Sequence, residues 1–537
     1  MSINLIPDSA PFSTEQRAWL NGFFTGLLQM NAEGSAAATG NQASAVALLD
    51  APATTAQEEE DFPWHDPAIP IDERLEMAKD KPPARQIMAA MAQLDCGSCG
   101  YLCQSYSEAI ADGTEKSLTL CSPGGSETAK AVKQLVKLHI SGDAAKNGAA
   151  SNGAATNGAA KAATVSPVGT RDNPATARFL AARKLNRDGS AKDTRHVEID
   201  LAATGIKYRV GDALGVYPFN CGELVDATIA ASNFEPTDQV HCDGKAMPLR
   251  QAFQEYKCLR TLSADLVEAA VVGGGEDAML EPLRELLDSD DIDSWDVLEF
   301  FEAFPGVKLT PQQVIDALMP LRPRLYSIAS SQHKFTDQVH LTVGRVETPV
   351  RGRGRKGVAS TMFADRMLPE QDLRVFIHPS HGFTVPADSA APMIMVGPGT
   401  GIAPFIAFMQ QRQSDRAPGR NWLFFGDQKR DHDFLYKEQL NLWRSEGLLT
   451  RLDLAFSRDM AEKVYVQNRM LENGAELFRW LEAGSYFFIC GDAKRMARDV
   501  ERALLDIIIQ HGSLPAEAAK NYVAEMKRTR RYACDVY

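Results

Sequence analysis

The chain reads as a multidomain protein: a small α-helical unit, an antiparallel β-barrel with an α-helical insertion, and an α/β unit with a Rossmann-like sheet. Three observations predict it. Four of the nine cysteines crowd into Cys96-Gly97-Ser98-Cys99-Gly100-Tyr101-Leu102-Cys103 and the following Cys121-Ser122-Pro123-Gly124-Gly125. From Arg171 onward, segments such as His196-Val197-Glu198-Ile199-Asp200-Leu201 and Val339-His340-Leu341-Thr342-Val343-Gly344 carry the two-residue period of half-buried strands. After Pro386, short continuous apolar runs end in glycine, as buried parallel strands feeding ligand loops do.

Composition limits the partners. A net charge of −13 over 537 residues argues against nucleic acid or an anionic membrane surface, and no apolar run is long enough to span a bilayer. The start, Met1-Ser2-Ile3-Asn4-Leu5-Ile6-Pro7-Asp8, lacks the basic and apolar regions of a secretory signal, so a cytoplasmic location is expected. Two compositional breaks divide the chain, Ala/Ser/Thr/Gln/Glu-rich from Ala32 to Asp61 and Ala/Gly/Asn-rich from Gly142 to Ser166, and both read as tethers. As a flexible coil, residues 142–166 would hold their ends roughly 25–30 Å apart.

The expected plan is therefore an N-terminal amphipathic helix in 1–31, a low-complexity linker in 32–71, a cysteine domain in 72–141, and a flexible linker in 142–170. A barrel in 171–386 follows, with its helical insertion at about 221–321, and then an α/β domain in 387–537. In the first helix Ser13-Thr14-Glu15-Gln16 offers a capping box, and Trp19, Leu20, Phe23, Phe24, Leu27 and Leu28 share one face. That stripe must dock, on its own protein or on a partner subunit.

The cysteine spacing is C-x2-C-x3-C-x17-C. Three thiolates in one tight loop and a fourth from a later turn suit a cubane iron–sulfur cluster, whereas structural zinc usually takes two separated pairs. Zinc, or a reduced structural group, stays open on spacing alone. The segment from Glu73 to Ile140 also resembles the four-cysteine iron–sulfur domain of electron-transport B subunits and corrinoid iron–sulfur proteins. The likeness rests on the CGSCGYLC loop, Tyr106, Ala109-Ile110 and the CSPGG turn. It implies a [4Fe–4S] cluster with Cys96, Cys99, Cys103 and Cys121 as ligands.

The barrel carries Arg324-Leu325-Tyr326-Ser327-Ile328-Ala329-Ser330-Ser331. On one strand face, Arg324 can pair with a phosphate and Tyr326 can stack on a planar ring, while the Ser327 hydroxyl can reach a ring nitrogen. Gly357-Val358-Ala359-Ser360-Thr361 follows, small residues opening a helix and so a natural diphosphate cradle. Downstream, Met393-Ile394-Met395-Val396 runs into Gly397-Pro398-Gly399-Thr400-Gly401-Ile402-Ala403-Pro404-Phe405, the strand–loop–helix context of a dinucleotide pyrophosphate. Trp422-Leu423-Phe424-Phe425-Gly426 and Tyr486-Phe487-Phe488-Ile489-Cys490-Gly491 add two strands ending in glycine. Ser457, Arg458 and Lys463 offer the hydroxyl and cations that a 2′-phosphate needs, and Tyr465 can cover the adenine.

These motifs, with Arg195-His196-Val197-Glu198-Ile199-Asp200-Leu201 and the Tyr208-to-Pro218 stretch, resemble the ferredoxin–NADP reductase-like half of the diflavin reductases. The likeness is greatest to the NADPH-dependent sulfite reductase flavoprotein family. It covers about residues 171–537, with the motifs in family order. It implies FAD bound by Arg324, Tyr326, Ser327, Thr342, Gly357, Val358, Ala359 and Ser360. It also implies NADPH bound by Gly399, Thr400, Gly401, Ser457, Arg458, Lys463, Tyr465, Gln467 and Asp492. Ser327, Cys490 and Asp535 would surround the reacting atoms, and Tyr537 would cover the flavin ring.

No flavodoxin-like βα repeat precedes Arg171, so the cysteine domain stands where this family carries FMN. The expected path is NADPH to FAD to [4Fe–4S] to a separate redox partner, above all a sirohaem sulfite reductase beta subunit. The alternatives are another acceptor (nitrite reductase, a ferredoxin or a cytochrome), a zinc-stabilised docking module fused to a reductase, or a sensor in which cluster loss controls turnover.

Overall fold

The computed structural model describes residues 62–65, 69–93, 101–115, 117–121, 124–139, 167–273, 277–289, 291–380, 382–493 and 495–537. The expected N-terminal helix, the two tethers at 32–61 and 142–166, and the ligand candidates Cys96 and Cys99 lie outside the described residues. The chain divides into two units, Met1–Phe62 and Pro63–Tyr537, and every described helix and strand belongs to the second.

The cysteine region is helical where described, with helices Ile71–Met77, Pro83–Ala90, Cys103–Ala111 and Gly125–His139. Pro83 stands in the first turn of its helix, where a missing N–H costs nothing. Ile87, Ala90, Met91, Tyr106, Ile110, Cys121 and Val132 form one small core. The Tyr106 hydroxyl donates to the Ser117 carbonyl at 2.7 Å and accepts from the Leu120 N–H at 3.1 Å. That clamp fixes the Cys103 helix against the segment leading to Cys121.

The barrel strands are β1 (Ala175–Lys184), β2 (Thr194–Asp200), β3 (Ala213–Val216), β6 (Arg324–Ser327), β7 (Gln338–Gly344) and β10 (Asp372–His378). They pair antiparallel in the order β6-β3-β10-β1-β2-β7, and a bridge from Ile328 to Leu341 joins the two ends and closes the barrel. Alternation decides what fills it: Val339, Leu341 and Val343 enter the core with Val197, Ile199, Leu214 and Val375. A short hairpin, β8 (Glu347–Val350) with β9 (Arg353–Lys356), precedes the helix Val358–Thr361.

Between β3 and β6 lies the insertion, with helices at Gly222–Ser232, Leu249–Glu255, Ala264–Gly273, Asp277–Asp288, Val297–Ala303 and Pro311–Ala317. It is not wholly helical. β4 (Gln239–Cys242) and β5 (Lys245–Pro248) form a hairpin whose turn, Asp243-Gly244, has both residues at positive φ (53° and 72°). Asp-Gly is the sequence signal for such a turn, and Val240 and Met247 bury the inner face.

The last region is a five-stranded sheet of β11 (Met393–Val396), β12 (Asn421–Asp427), β13 (Arg451–Phe456), β14 (Tyr486–Gly491) and β15 (Tyr532–Val536). Every pairing is parallel, in the order β13-β12-β11-β14-β15. Strand order reverses between β11 and β14, which opens a crevice at their carboxyl ends.

Candidate functional site

The reversal brings Gly397-Pro398-Gly399-Thr400-Gly401, leaving β11, beside Cys490-Gly491 at the end of β14. A Cβ on Gly401 would fall 2.1 Å from the Cys490 carbonyl oxygen, so only glycine lets loop and strand meet. Gly399 has φ +57°, the left-handed conformation that turns the loop. β15 then sets Asp535 opposite Cys490 in register.

From the barrel, the end of β6 reaches the same point. Ser327 Oγ donates to Asp535 Oδ2 at 2.5 Å, and Cys490 Sγ lies 3.7 Å from that oxygen. Three residues distant in sequence thus converge on one carboxylate. Burial pushes the Asp535 carboxyl above its ordinary range, and the bonds from Ser327 and Cys490 pull it partly back. Burial, and then the Asp535 charge, push the Cys490 thiol far up, so it stays protonated and is no nucleophile. Tyr537 Oη meets Thr400 Oγ1 at 2.8 Å, and its backbone bonds Gly491 and Ala493, so the terminal aromatic is tied to the loop.

A cleft of about 1020 Å³ opens beside this cluster. Of the expected nucleotide contacts, Gly399, Thr400, Ser457, Tyr465, Gln467 and Asp492 line it, together with Tyr537. Just before the next helix, the Asp492 carboxylate accepts from the N–H groups of Arg495 and Met496 at 2.8 and 3.2 Å. Arg458 and Lys463, expected at the 2′-phosphate, are exposed and do not line the cleft. Such a volume suits a dinucleotide.

Lys192, from the β1–β2 connection, was not legible in the sequence. Its ammonium pairs with Asp427 Oδ1 at 2.5 Å on the cleft wall. Asp427 Oδ2 is buried with no hydrogen-bond partner among the described residues, and burial raises that carboxyl. An orphaned acceptor in a polar cleft fits a ligand that brings donors. The one sequence signal was Asp427 standing directly after the strand-terminal Gly426.

On the flavin side, Arg324 and Tyr326 share a face of β6, with Tyr326 edge-on to Phe363 at 6.0 Å. Phe363 follows the helix Val358–Thr361, which Gly357 precedes, so the two halves of the expected flavin motif meet. A Cβ on Gly357 would fall 2.8 Å from Ser360 Oγ. The amide groups of Val358, Ala359 and Ser360 open that helix, and Arg366 Nε nearby is buried without a partner among the described residues. These features fit a diphosphate. Thr342 is not brought to this group: with His340 it faces away from the barrel core, and its hydroxyl meets Tyr436 Oη at 2.7 Å.

In the cysteine region, the Ala92 N–H points at Cys121 Sγ at 3.4 Å. Arg74 is buried, with Nη1 bonded to the Met91 carbonyl and Nε unpartnered among the described residues; burial lowers its pKa, which negative charge on Cys103 and Cys121 would oppose. A buried cation with an open donor fits an anionic group in its surroundings. Among the described residues no three His, Cys, Asp or Glu side chains converge as a metal site. No helix among them is long and apolar enough to cross a membrane.

The comparisons agree with this geometry. A FAD binding domain model matches residues 168–263 and 280–362, and an oxidoreductase NAD-binding domain model matches 395–502. The chain is 43% identical over 374 residues, 70% of its length, to a sulfite reductase [NADPH] flavoprotein alpha-component of Pectobacterium atrosepticum. It is 43% identical over 368 residues, 68% of its length, to those of Escherichia coli and Salmonella typhi. It spans 61% of the length of each of these relatives.

Proposed function

Because this chain is a flavin- and nicotinamide-binding oxidoreductase, homologous over 70% of its length to the sulfite reductase flavoprotein alpha-components, we propose that it takes electrons from NADPH and delivers them through FAD and a [4Fe–4S] cluster to a separate sirohaem sulfite reductase subunit. The observation that carries the first half is the convergence of Ser327 and Cys490 on Asp535 beside the nucleotide cleft, whose wall includes the neighbouring Gly491 and Tyr537. For the second half the support is the four-cysteine motif and the buried Arg74, whose Nε has no partner among the described residues.

Bound FAD supplies the chemistry of taking a hydride from NADPH and releasing electrons singly, and an iron–sulfur cluster accepts them one at a time. Arg324 and the amides of the helix at Val358 would hold the diphosphate, and Tyr326 the ring system. Ser327 donates to Asp535 and so fixes which carboxylate oxygen faces the reacting atoms. Cys490, neutral and buried, packs the nicotinamide side without forming a bond. Tyr537, tethered by Thr400, shields the site from water until the nicotinamide takes its place. Arg458 and Lys463 at the rim would select NADPH over NADH. Cys96, Cys99, Cys103 and Cys121 would hold the cluster.

Anaerobic stopped-flow mixing with NADPH tests the first half: the flavin should bleach rapidly, and far more slowly with NADH. Iron and acid-labile sulfide should accompany the protein in cluster stoichiometry, and zinc in their place would overturn the cluster. Sulfide formation from sulfite only when a sirohaem subunit is added identifies the acceptor, and turnover with another acceptor alone would refute it.

A further inference from the structure

Among the described residues, the side chains of Tyr101, Glu115, Arg171 and Arg322 join the cysteine region to the barrel. Tyr101 lies between two guanidinium groups, with the Arg171 carbon 5.0 Å and the Arg322 carbon 5.6 Å from its ring centre. Glu115 Oε2 accepts from Arg322 Nη2 at 2.8 Å and from the Tyr101 hydroxyl at 3.2 Å. Arg322, Glu115 and Tyr101 thus form a closed ring of contacts across the join. The Arg322 and Glu115 side chains are only 18% and 12% exposed, so salt screens the pair less than a surface pair.

Both ends of this ring lead to redox machinery. On the barrel side, the Arg322 carbonyl accepts from Arg324 Nη1 at 3.0 Å, at the start of the strand that carries Tyr326 and Ser327. On the other side, Tyr101 belongs to the cysteine loop, next but one to Cys103, and stacks on Tyr106 with ring centres 5.5 Å apart. Tyr106 in turn clamps the segment before Cys121.

We propose that Tyr101, Glu115 and Arg322 are positioning residues for electron transfer from the flavin to the cysteine domain, a latch that docks the segment leading into the Cys103 helix at the start of β6. This role rests on the iron–sulfur reading of the four cysteines. In each transfer the flavin, reduced by NADPH, is oxidised by one electron, the iron–sulfur group is reduced by it, and the flavin proton leaves to solvent. Glu115 and Tyr101 touch neither reacting centre. They act by holding one domain against the other.

The test uses the full-length protein loaded with FAD and iron. Glu115→Arg sets cations against each other, so NADPH should bleach the flavin at the wild-type rate while freeze-quenched EPR shows the cluster reduced roughly 10- to 150-fold more slowly, the effect of losing one hydrogen-bonded charge pair. Small-angle scattering of the same sample should show a larger radius of gyration. The exchange of Glu115→Arg with Arg322→Glu should restore both, and Tyr101→Leu, which leaves every charge in place, should slow cluster reduction in the same direction by several-fold. Wild-type scattering and wild-type cluster reduction in Glu115→Arg, or an exchange that restores neither, overturns the latch and leaves the iron–sulfur reading standing. Zinc instead of iron in these preparations overturns that reading and the electron-transfer role with it.

Discussion

Ser327→Ala tests the proposed hydride-transfer site most sharply. The substitution removes the donor that meets Asp535 Oδ2 at 2.5 Å and leaves a buried carboxylate with only the weaker Cys490 thiol, 3.7 Å away. A hydrogen bond to a charged group is worth about 1.5–3 kcal/mol. If all of it is expressed in the transition state, flavin reduction slows roughly 10- to 150-fold. The pH profile gives an independent sign. Burial already holds the Asp535 carboxyl above its usual range and Ser327 pulls it down, so losing the hydroxyl raises it further and moves the acid limb of the rate to higher pH. Anaerobic stopped-flow measurement of flavin bleaching across pH reads both effects, and Ser327→Thr should recover most of the rate. An alanine variant with normal FAD content, an unchanged rate and an unmoved acid limb would refute the role given to this hydrogen bond.

Other outcomes follow from the same geometry. Gly401→Ala forces a Cβ to within 2.1 Å of the Cys490 carbonyl, a main-chain atom that cannot step aside. NADPH affinity should collapse and Tm fall by the equivalent of about 1–3 kcal/mol, with FAD retained, which thermal melts and flavin spectra check. Arg458→Ala at the cleft rim should raise KM for NADPH about tenfold or more and leave NADH use unchanged, as loss of one phosphate contact requires. Burial would raise the Glu115 carboxyl, but the Ser117 N–H and Arg322 outweigh it and hold it below the usual range. A depressed carboxyl contributes fully above its unfolded value and is lost as the pH falls through the lower one. Docking measured by scattering should therefore persist to the ordinary Glu value of about 4.3 and fail only below it.

Much of this was legible in the chain, for physical reasons that differ by region. The two-residue period of β2 and β7 and the apolar runs of β11, β12 and β14 follow from burial on one or both faces, so barrel and sheet could be read directly. The glycine loop after β11 was visible because its backbone demand restricts residue type. The hairpin in the insertion was missed although Asp243-Gly244 announced it, since its strands are too short to show a period. Thr342 was expected at the flavin from its position in a motif, and the contact of its hydroxyl with Tyr436, which alternation along β7 produces, carried no local signal. Lys192 and the Arg322–Glu115–Tyr101 ring were not legible at all: they depend on elements far apart in sequence meeting in space, and lone charges carry no local pattern.

The central claim is the route from NADPH through FAD to the four cysteines. An EPR spectrum of the iron-replete full-length protein, reduced anaerobically by NADPH alone, tests it most directly. The expected result is a [4Fe–4S]+ signal that disappears when Tyr326 and Ser327 are both replaced by alanine and returns when dithionite bypasses the flavin. A protein that holds iron and sulfide, bleaches its flavin with NADPH and yet shows no cluster signal would contradict it.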